Sequence, residues 1–166
     1  MILGIDASTT TAGYAFCENG IIKSAGFIDL TKFELNKDKS FFIINELIKN
    51  PCLTTTTTIN LEAPLSGFVV GFTSQQTIVK LIRFNAILEY VLDEELKIPI
   101  NLVNVSTARK KVFGKARLKG VKSKDYVKMM IPSIVPNYLE FNILNKIKNV
   151  DKRMEDTWDA MVMSLY

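Results

Sequence analysis

Apolar and polar positions in the first thirty residues fall in short runs, without helical spacing. Ile2 to Asp6 is an apolar run that closes on an acid, and Thr11 to Glu18 (TAGYAFCE) is rich in small, β-branched and aromatic residues. Both read as strands. Asn19-Gly20 then gives a two-residue hairpin signal, because both positions tolerate the positive φ of a type I′ turn, and Ile21 to Leu30 continues as a third strand. The first three strands are expected to be antiparallel.

The period changes after that. Phe41, Ile44, Leu47 and Ile48 recur at helical spacing, and Asn50-Pro51 stops the helix because the residue before a proline is pushed out of the α region. The threonine run Thr54–Thr58 leads through Ile59-Asn60-Leu61 into a fourth strand ending on Glu62, after which Pro64 and Gly67 break the pattern. Ile78, Leu81, Ile82, Leu88, Val91 and Leu92 mark the longest helix, from Ser74 as N-cap to about Leu96, with Asp93, Glu94 and Glu95 opposing its dipole and predicting a frayed end.

Pro99 precedes a fifth strand, Ile100 to Val105. Ser106 or Thr107 is expected to cap a short helix through Phe113, and Gly114–Gly120 reads as a loop. Two short helices interrupted by Pro132 and Pro136 should follow, and a last helix from near Val150 to Tyr166. With no internal repeat and no linker, this order predicts one domain over residues 1–166. Its architecture is α/β: a five-stranded mixed sheet, first three strands antiparallel, flanked by helices.

Composition narrows the chemistry. The chain has 166 residues, 48% hydrophobic and 23% charged, which suits one globular core. It has no histidine, which excludes a Ser-His-Asp or Cys-His triad, a His-ligated zinc site and an imidazole base. Cys17 and Cys52 form no CxxC motif and are expected to be inert core thiols. No apolar run approaches the roughly 18 residues of a membrane span, and MILGIDAST lacks the basic leader of a signal peptide. A cytoplasmic setting without membrane contact or small-molecule cofactor is expected.

The net charge of +4 is unevenly spread. Arg109, Lys110, Lys111, Lys115, Arg117, Lys119, Lys122 and Lys124 lie in sixteen residues with no acid among them, so that segment carries +8 and the remainder −4. A basic island on an acidic body points to a localised polyanion contact.

Four acids complete the pattern. Asp6 and Glu62 close apolar strands, and Asp156 and Asp159 stand three apart on the final helix, on one face with Met163. Brought together at a sheet edge they would repel one another unless cations neutralised them. Oxygen donors without His or Cys select Mg²⁺, with Mn²⁺ as a substitute, over zinc. Two such ions roughly 4 Å apart can activate a water and stabilise the leaving oxygen of a phosphodiester.

At this point the residues carry a family likeness. ILGIDASTTTAGYAF resembles the opening of RuvC-type Holliday-junction resolvases, INLEAP their second acidic motif, and EDTWDAM their terminal helix. VSTARKKVFGKARLKGVKSKDYV is similar to the basic region, with Arg109 and Lys122 at two lysine positions. The resemblance implies a ribonuclease-H-like fold, a homodimer, Mg²⁺-dependent endonuclease activity and four-way DNA junctions as substrate. It also implies Asp6, Glu62, Asp156 and Asp159 as catalytic metal ligands. The length and loose motif matches look more like bacteriophage-encoded members.

Pro64-Leu65 stand where the family has an aromatic after the second acid, with Phe68 or Phe72 as substitutes, and the final helix stops soon after Asp159. Three other readings stay open. One is a nuclease of the same fold acting on RNA–DNA hybrids or flaps, and another is an inactive junction-binding module. The third is a phosphotransferase fragment, since GIDASTT also resembles the phosphate loop of actin-like ATPases and sugar kinases. The dimer interface is expected on the Ser74–Leu96 helix.

Overall fold

The Asn19-Gly20 turn has φ of 52° and 79°, as a type I′ turn requires, and joins β2 (Thr11–Glu18) to β3 (Ile21–Asp29). β1 (Ile2–Ala7) pairs antiparallel with β2 on one side and parallel with β4 (Thr58–Glu62) on the other; β5 (Ile100–Val103) adds parallel to β4. The computed structural model describes residues 1–64, 75–142 and 149–166, and among them the sheet order is β3-β2-β1-β4-β5. The expected mixed sheet with three leading antiparallel strands is the one observed. Among the described residues no helix is long and apolar enough to cross a membrane.

Two apolar clusters cover the two faces. Leu3, Ile5, Phe16, Ile59 and Leu61 point to α1 (Asn36–Ile48) and α2 (Gln75–Leu96), which contribute Ile43, Ile44, Leu47, Phe84, Leu88 and Leu92. The other face carries Ala15, Cys17 and Val103 against α3 (Val105–Phe113), α4 (Ser123–Ile134) and α5 (Met154–Leu165). Strand alternation therefore puts Gly4 and Asp6 of β1, Gly13 of β2 and Asn60 and Glu62 of β4 on the α5 side.

α5 lies directly on this face because the sheet offers no side chain beneath it. A Cβ on Gly4 would overlap the Ala160 carbonyl oxygen and come within 2.6 Å of the Ser164 amide nitrogen. One on Gly13 would overlap the backbone of Asp156 and Thr157. The Asn60 side-chain amide donates to the Met163 carbonyl at 2.8 Å, fixing the helix along its length. Nine of the helix's twelve residues are buried, Trp158 and Met163 among them, because both the sheet and α3–α4 enclose it.

Several element ends differ from expectation. Thr54 and Thr55 belong to a 3₁₀ turn, Pro51–Thr55, opened by Asn50, whose side chain accepts from the Cys52 amide; the strand starts only at Thr58. β5 ends at Val103, and Asn104, not Ser106 or Thr107, caps α3, accepting from both their amides. Pro132 does not interrupt a helix but sits inside the last turn of α4; Tyr138–Phe141 is a 3₁₀ turn. The final helix starts at Met154, four residues later than expected. On α2, Ile82 is 39% exposed, whereas Phe84 fills the core. α2 holds to Leu96, where Lys97 pairs with Glu94 at 3.4 Å and offsets the acidic end. The proposed Ser74 cap, Gly67, Phe68 and Phe72 lie outside the described residues.

Gly4→Ala or Gly13→Ala should lift α5 from the sheet, each costing about 1–3 kcal/mol or more. Urea denaturation checks this, with Gly20→Ala, at an open turn, losing less by a different route.

Candidate active site

β1 and β4 run in the same direction, so their carboxyl ends meet at one sheet edge. The register pairs Ile5 with Leu61, which sets the next residues, Asp6 and Glu62, side by side. Of the neighbouring acids, Glu62 acts most strongly on the Asp6 carboxyl. Asp6 faces Gly13 across the β1–β2 pair, and over that glycine passes the first turn of α5. The absence of a side chain at residue 13 thus brings Asp156 and, one turn on, Asp159 to the same edge.

The cost of this crowding shows in the proton equilibria. Burial first, then the charge of Glu62 and a hydrogen bond to it, then Asp159 and Asp156, push the Asp6 carboxyl well above the usual carboxylate range. Burial also raises Asp156, and Lys124 only partly offsets this; for Asp159 burial again dominates, opposed by Arg109. Neither Asp6 nor Glu62 has an ion-pair partner among the described residues.

Two protein cations balance the other two acids in different ways. Arg109 is buried, and its Nη2 donates to both carboxylate oxygens of Asp159 at 2.7 Å while Nε donates to Oδ1 at 3.0 Å. Its Nη1 donates to the Ser123 hydroxyl, so one guanidinium joins α3, α4 and α5. Lys124 stretches from the start of α4 to Glu155 Oε2 at 3.1 Å and Asp156 Oδ1 at 3.2 Å, with its side chain half exposed.

Arg109, expected to meet DNA phosphates, is therefore turned inward and is no surface contact. The helix start set by Asn104 explains this: Val105, Ala108, Arg109 and Val112 share the inward face of α3. Lys110, Lys115, Arg117, Lys119 and Lys122 are exposed without ion pairs among the described residues. Lys111 is occupied: its ammonium donates to the Tyr166 carbonyl at 2.8 Å and lies 4.4 Å from that ring's centre. The basic loop is held at one point by fully buried Tyr126, whose hydroxyl donates to the Lys115 carbonyl at 3.1 Å.

Sequence reasoning missed Lys39. It is buried on α1, and its ammonium donates to the Thr9 carbonyl at 2.6 Å, holding the β1–β2 turn immediately after Asp6. The signal was present: Lys39 stands four and eight residues before Ile43 and Leu47, on the buried stripe. The same turn is tightened by Ser8, whose hydroxyl accepts from the Thr11 amide at 3.0 Å. Beside it, Ser8, Thr10, Thr11, Lys124, Lys152, Arg153, Glu155 and Asp156 line an open cleft of about 260 Å³.

The donor set fits a hard divalent cation in chemistry: carboxylate oxygens, no nitrogen or sulfur, and mutual repulsion at Asp6 and Glu62 that a cation would relieve. Among the described residues, however, no three acidic side chains converge as a ligand set. Both Asp159 oxygens are taken by Arg109, and one Asp156 oxygen by Lys124.

Solved structures share this architecture. RuvC from Thermus thermophilus superposes with a TM-score of 0.60 at 12% identity, covering 99% of this chain and 90% of that one. The same organism's RuvC in complex with a Holliday junction substrate gives 0.63 at 12% identity, covering 99% and 89%. The yeast mitochondrial Holliday junction resolvase gives 0.63 at 16% identity, covering 99% and 75%. The fold is ribonuclease-H-like. No protein-family model matches the sequence, and no curated protein matches it significantly.

Arg109→Ala leaves a buried carboxylate without its partner and should cost about 3–5 kcal/mol; the double variant Arg109→Met, Asp159→Leu should recover most of it in chemical denaturation. Asp6→Asn removes a carboxyl whose folded-state pKa lies above its unfolded value. Such a group binds more protons folded than unfolded, so it erodes stability as pH rises through that window. In EDTA at pH 7 the variant should melt on the order of 2–4 °C higher, if the gain is about 1 kcal/mol, and should lose that part of the pH dependence.

Proposed function

We propose that the protein is a metal-dependent, structure-selective endonuclease that resolves four-way DNA junctions by paired phosphodiester hydrolysis. The observation that carries this reading is the crowding of Asp6 by Glu62, Asp156 and Asp159 at the carboxyl edge of the sheet. A protein holds four acids together there at a cost to its own stability, and cation binding converts that cost into affinity. The likeness to RuvC bound to its junction substrate and to the yeast resolvase supports the substrate class.

On this reading Asp6, Glu62 and Asp156, which do not converge as a ligand set in this structure, would close on Mg²⁺, or Mn²⁺ in its place, and Asp159 shares the site under Arg109. The metal, when bound, supplies an activated water and neutralises charge developing on the phosphate. Arg109 is a positioning residue that opposes the upward push of burial on the Asp159 carboxyl and fixes α5 against α3 and α4. The exposed Lys110, Lys115, Arg117, Lys119 and Lys122 hold backbone phosphates, which makes affinity fall steeply with salt. Two sites at a fixed spacing come from a two-fold homodimer. The α2 face carrying Val79, Ile82 and Tyr90, which is exposed, is its interface.

A second reading, junction binding without cleavage, is favoured by one observation: Asp159 and Asp156 are already engaged by Arg109 and Lys124.

The test is a labelled synthetic four-way junction with Mg²⁺, Mn²⁺ or EDTA, beside linear duplex and RNA–DNA hybrid. Paired, symmetric, metal-dependent nicks in the junction are expected, with Asp6→Asn abolishing them while binding persists. Equal cutting by Asp6→Asn overturns the assignment of the site. Preferential cutting of the hybrid overturns the substrate, and tight binding without nicks under either metal favours the second reading.

A further inference from the structure

The two cations at the acid cluster are built to different standards. Arg109 and Asp159 are 7% and 5% exposed and joined by three hydrogen bonds, with a further bond from Arg109 to Ser123. Separating them strands a buried charge. Lys124 is 52% exposed, and its ammonium sits 3.1 and 3.2 Å from Glu155 and Asp156 at the end of a flexible four-carbon stem.

Asp156, by contrast, is only 14% exposed. An exposed lysine thus reaches inward to a shielded acid. It does so from the second residue of α4, where the helix dipole disfavours a cation. Of the two counter-charges, Lys124 is the one that can leave.

Its destination is also defined. Lys124 lines the cleft of about 260 Å³ together with the Ser8–Thr11 turn, Lys152 and Arg153, and with Glu155 and Asp156, the two acids it now neutralises. Arg153 is committed there, bridging Asp29 at 2.6 Å and Asp151 at 2.8 Å. Lys152 is exposed and has no ion pair among the described residues. The cleft therefore has one uncommitted ammonium and the exposed Thr10 hydroxyl, and it opens beside Asp156.

We propose that Lys124 is an exchangeable internal counter-cation. It neutralises Asp156 in the metal-free protein and gives way when a divalent cation takes that carboxylate. Once released, it turns into the cleft, where it joins Lys152 in holding a backbone phosphate of the nucleic acid. This rests on the metal-site reading above and adds to it a coupling: one side chain competes with the metal and assists the polyanion, so each ligand strengthens the other.

Mg²⁺ titrations by calorimetry, without nucleic acid, test the competition in the wild type, Lys124→Gln and Lys152→Gln. The last removes an equal charge from the same cleft but no contact with Asp156, and circular dichroism confirms that each variant is folded. Lys124→Gln should bind Mg²⁺ at least about fivefold more tightly than wild type, and Lys152→Gln distinctly less so. Equal tightening in both variants reduces the effect to general charge and overturns the proposal. So does unchanged or weaker binding in Lys124→Gln. No Mg²⁺ binding by any of the three proteins fails the metal-site reading itself, and this proposal with it.

Junction binding across a salt series tests the second half, with Ca²⁺ as probe ion against EDTA. The wild-type salt slope should steepen by about one phosphate contact when Ca²⁺ is present. In Lys124→Gln it should not change. A slope that steepens equally in both overturns the transfer of Lys124 to the phosphate.

Discussion

The structure depends on a backbone-to-backbone contact. α5 rests on β1 and β2 at Gly4 and Gly13, where any side chain would collide with the helix main chain. Close approach at these two points sets the depth of the helix, and depth decides everything at the sheet edge. With α5 a side chain's width further out, Asp156 and Asp159 would face water and Asp6 would have one acidic neighbour. The Asn60 amide bond to the Met163 carbonyl then fixes the helix along its axis, so that its first turn falls at the carboxyl ends of β1 and β4.

Packing forces the acids together, and electrostatics has to answer for it. The protein's answer differs from acid to acid. Asp159, the deepest, receives a forked guanidinium; Asp156 receives a flexible ammonium; Asp6 and Glu62 lean on each other, with the Asp6 proton held more tightly than usual. Repulsion is thus offset at the two helix acids and left standing between the two strand acids, Asp6 and Glu62. Lys39 extends this economy to the backbone, using a buried ammonium to hold the turn that follows Asp6.

Much of this was legible in the sequence. Strand order at the start, the hairpin at Asn19-Gly20, the long helix and the four acids are all written in short-range patterns that depend on a few residues each. The elements that went astray did so where a local signal met a tertiary one. Thr54 and Thr55 have strand propensity, but Pro51 and the Asn50 cap wind them into a 3₁₀ turn. Arg109 sits in a basic run that reads as surface, and only the phase of α3, fixed by Asn104, turns it inward. Charge counting cannot tell a cation that meets solvent from one that meets a buried acid. The pairing of Lys124 with Asp156 joins residues from two separate helices and has no sequence signature at all.

The placement of α5 also bears on when the site comes into being. Its acids come from residues 156 and 159, while their partners on the sheet come from residues 6 and 62. The first three strands can pair as soon as they leave the ribosome, but the face that α5 covers stays open until residues 154–165 are made. Contacts of such long sequence separation carry a large loop-closure cost. A nascent chain therefore carries two of its four acids before the other two have been made, and the acid cluster stays incomplete during synthesis. Docking of the final helix is the step that completes the cluster.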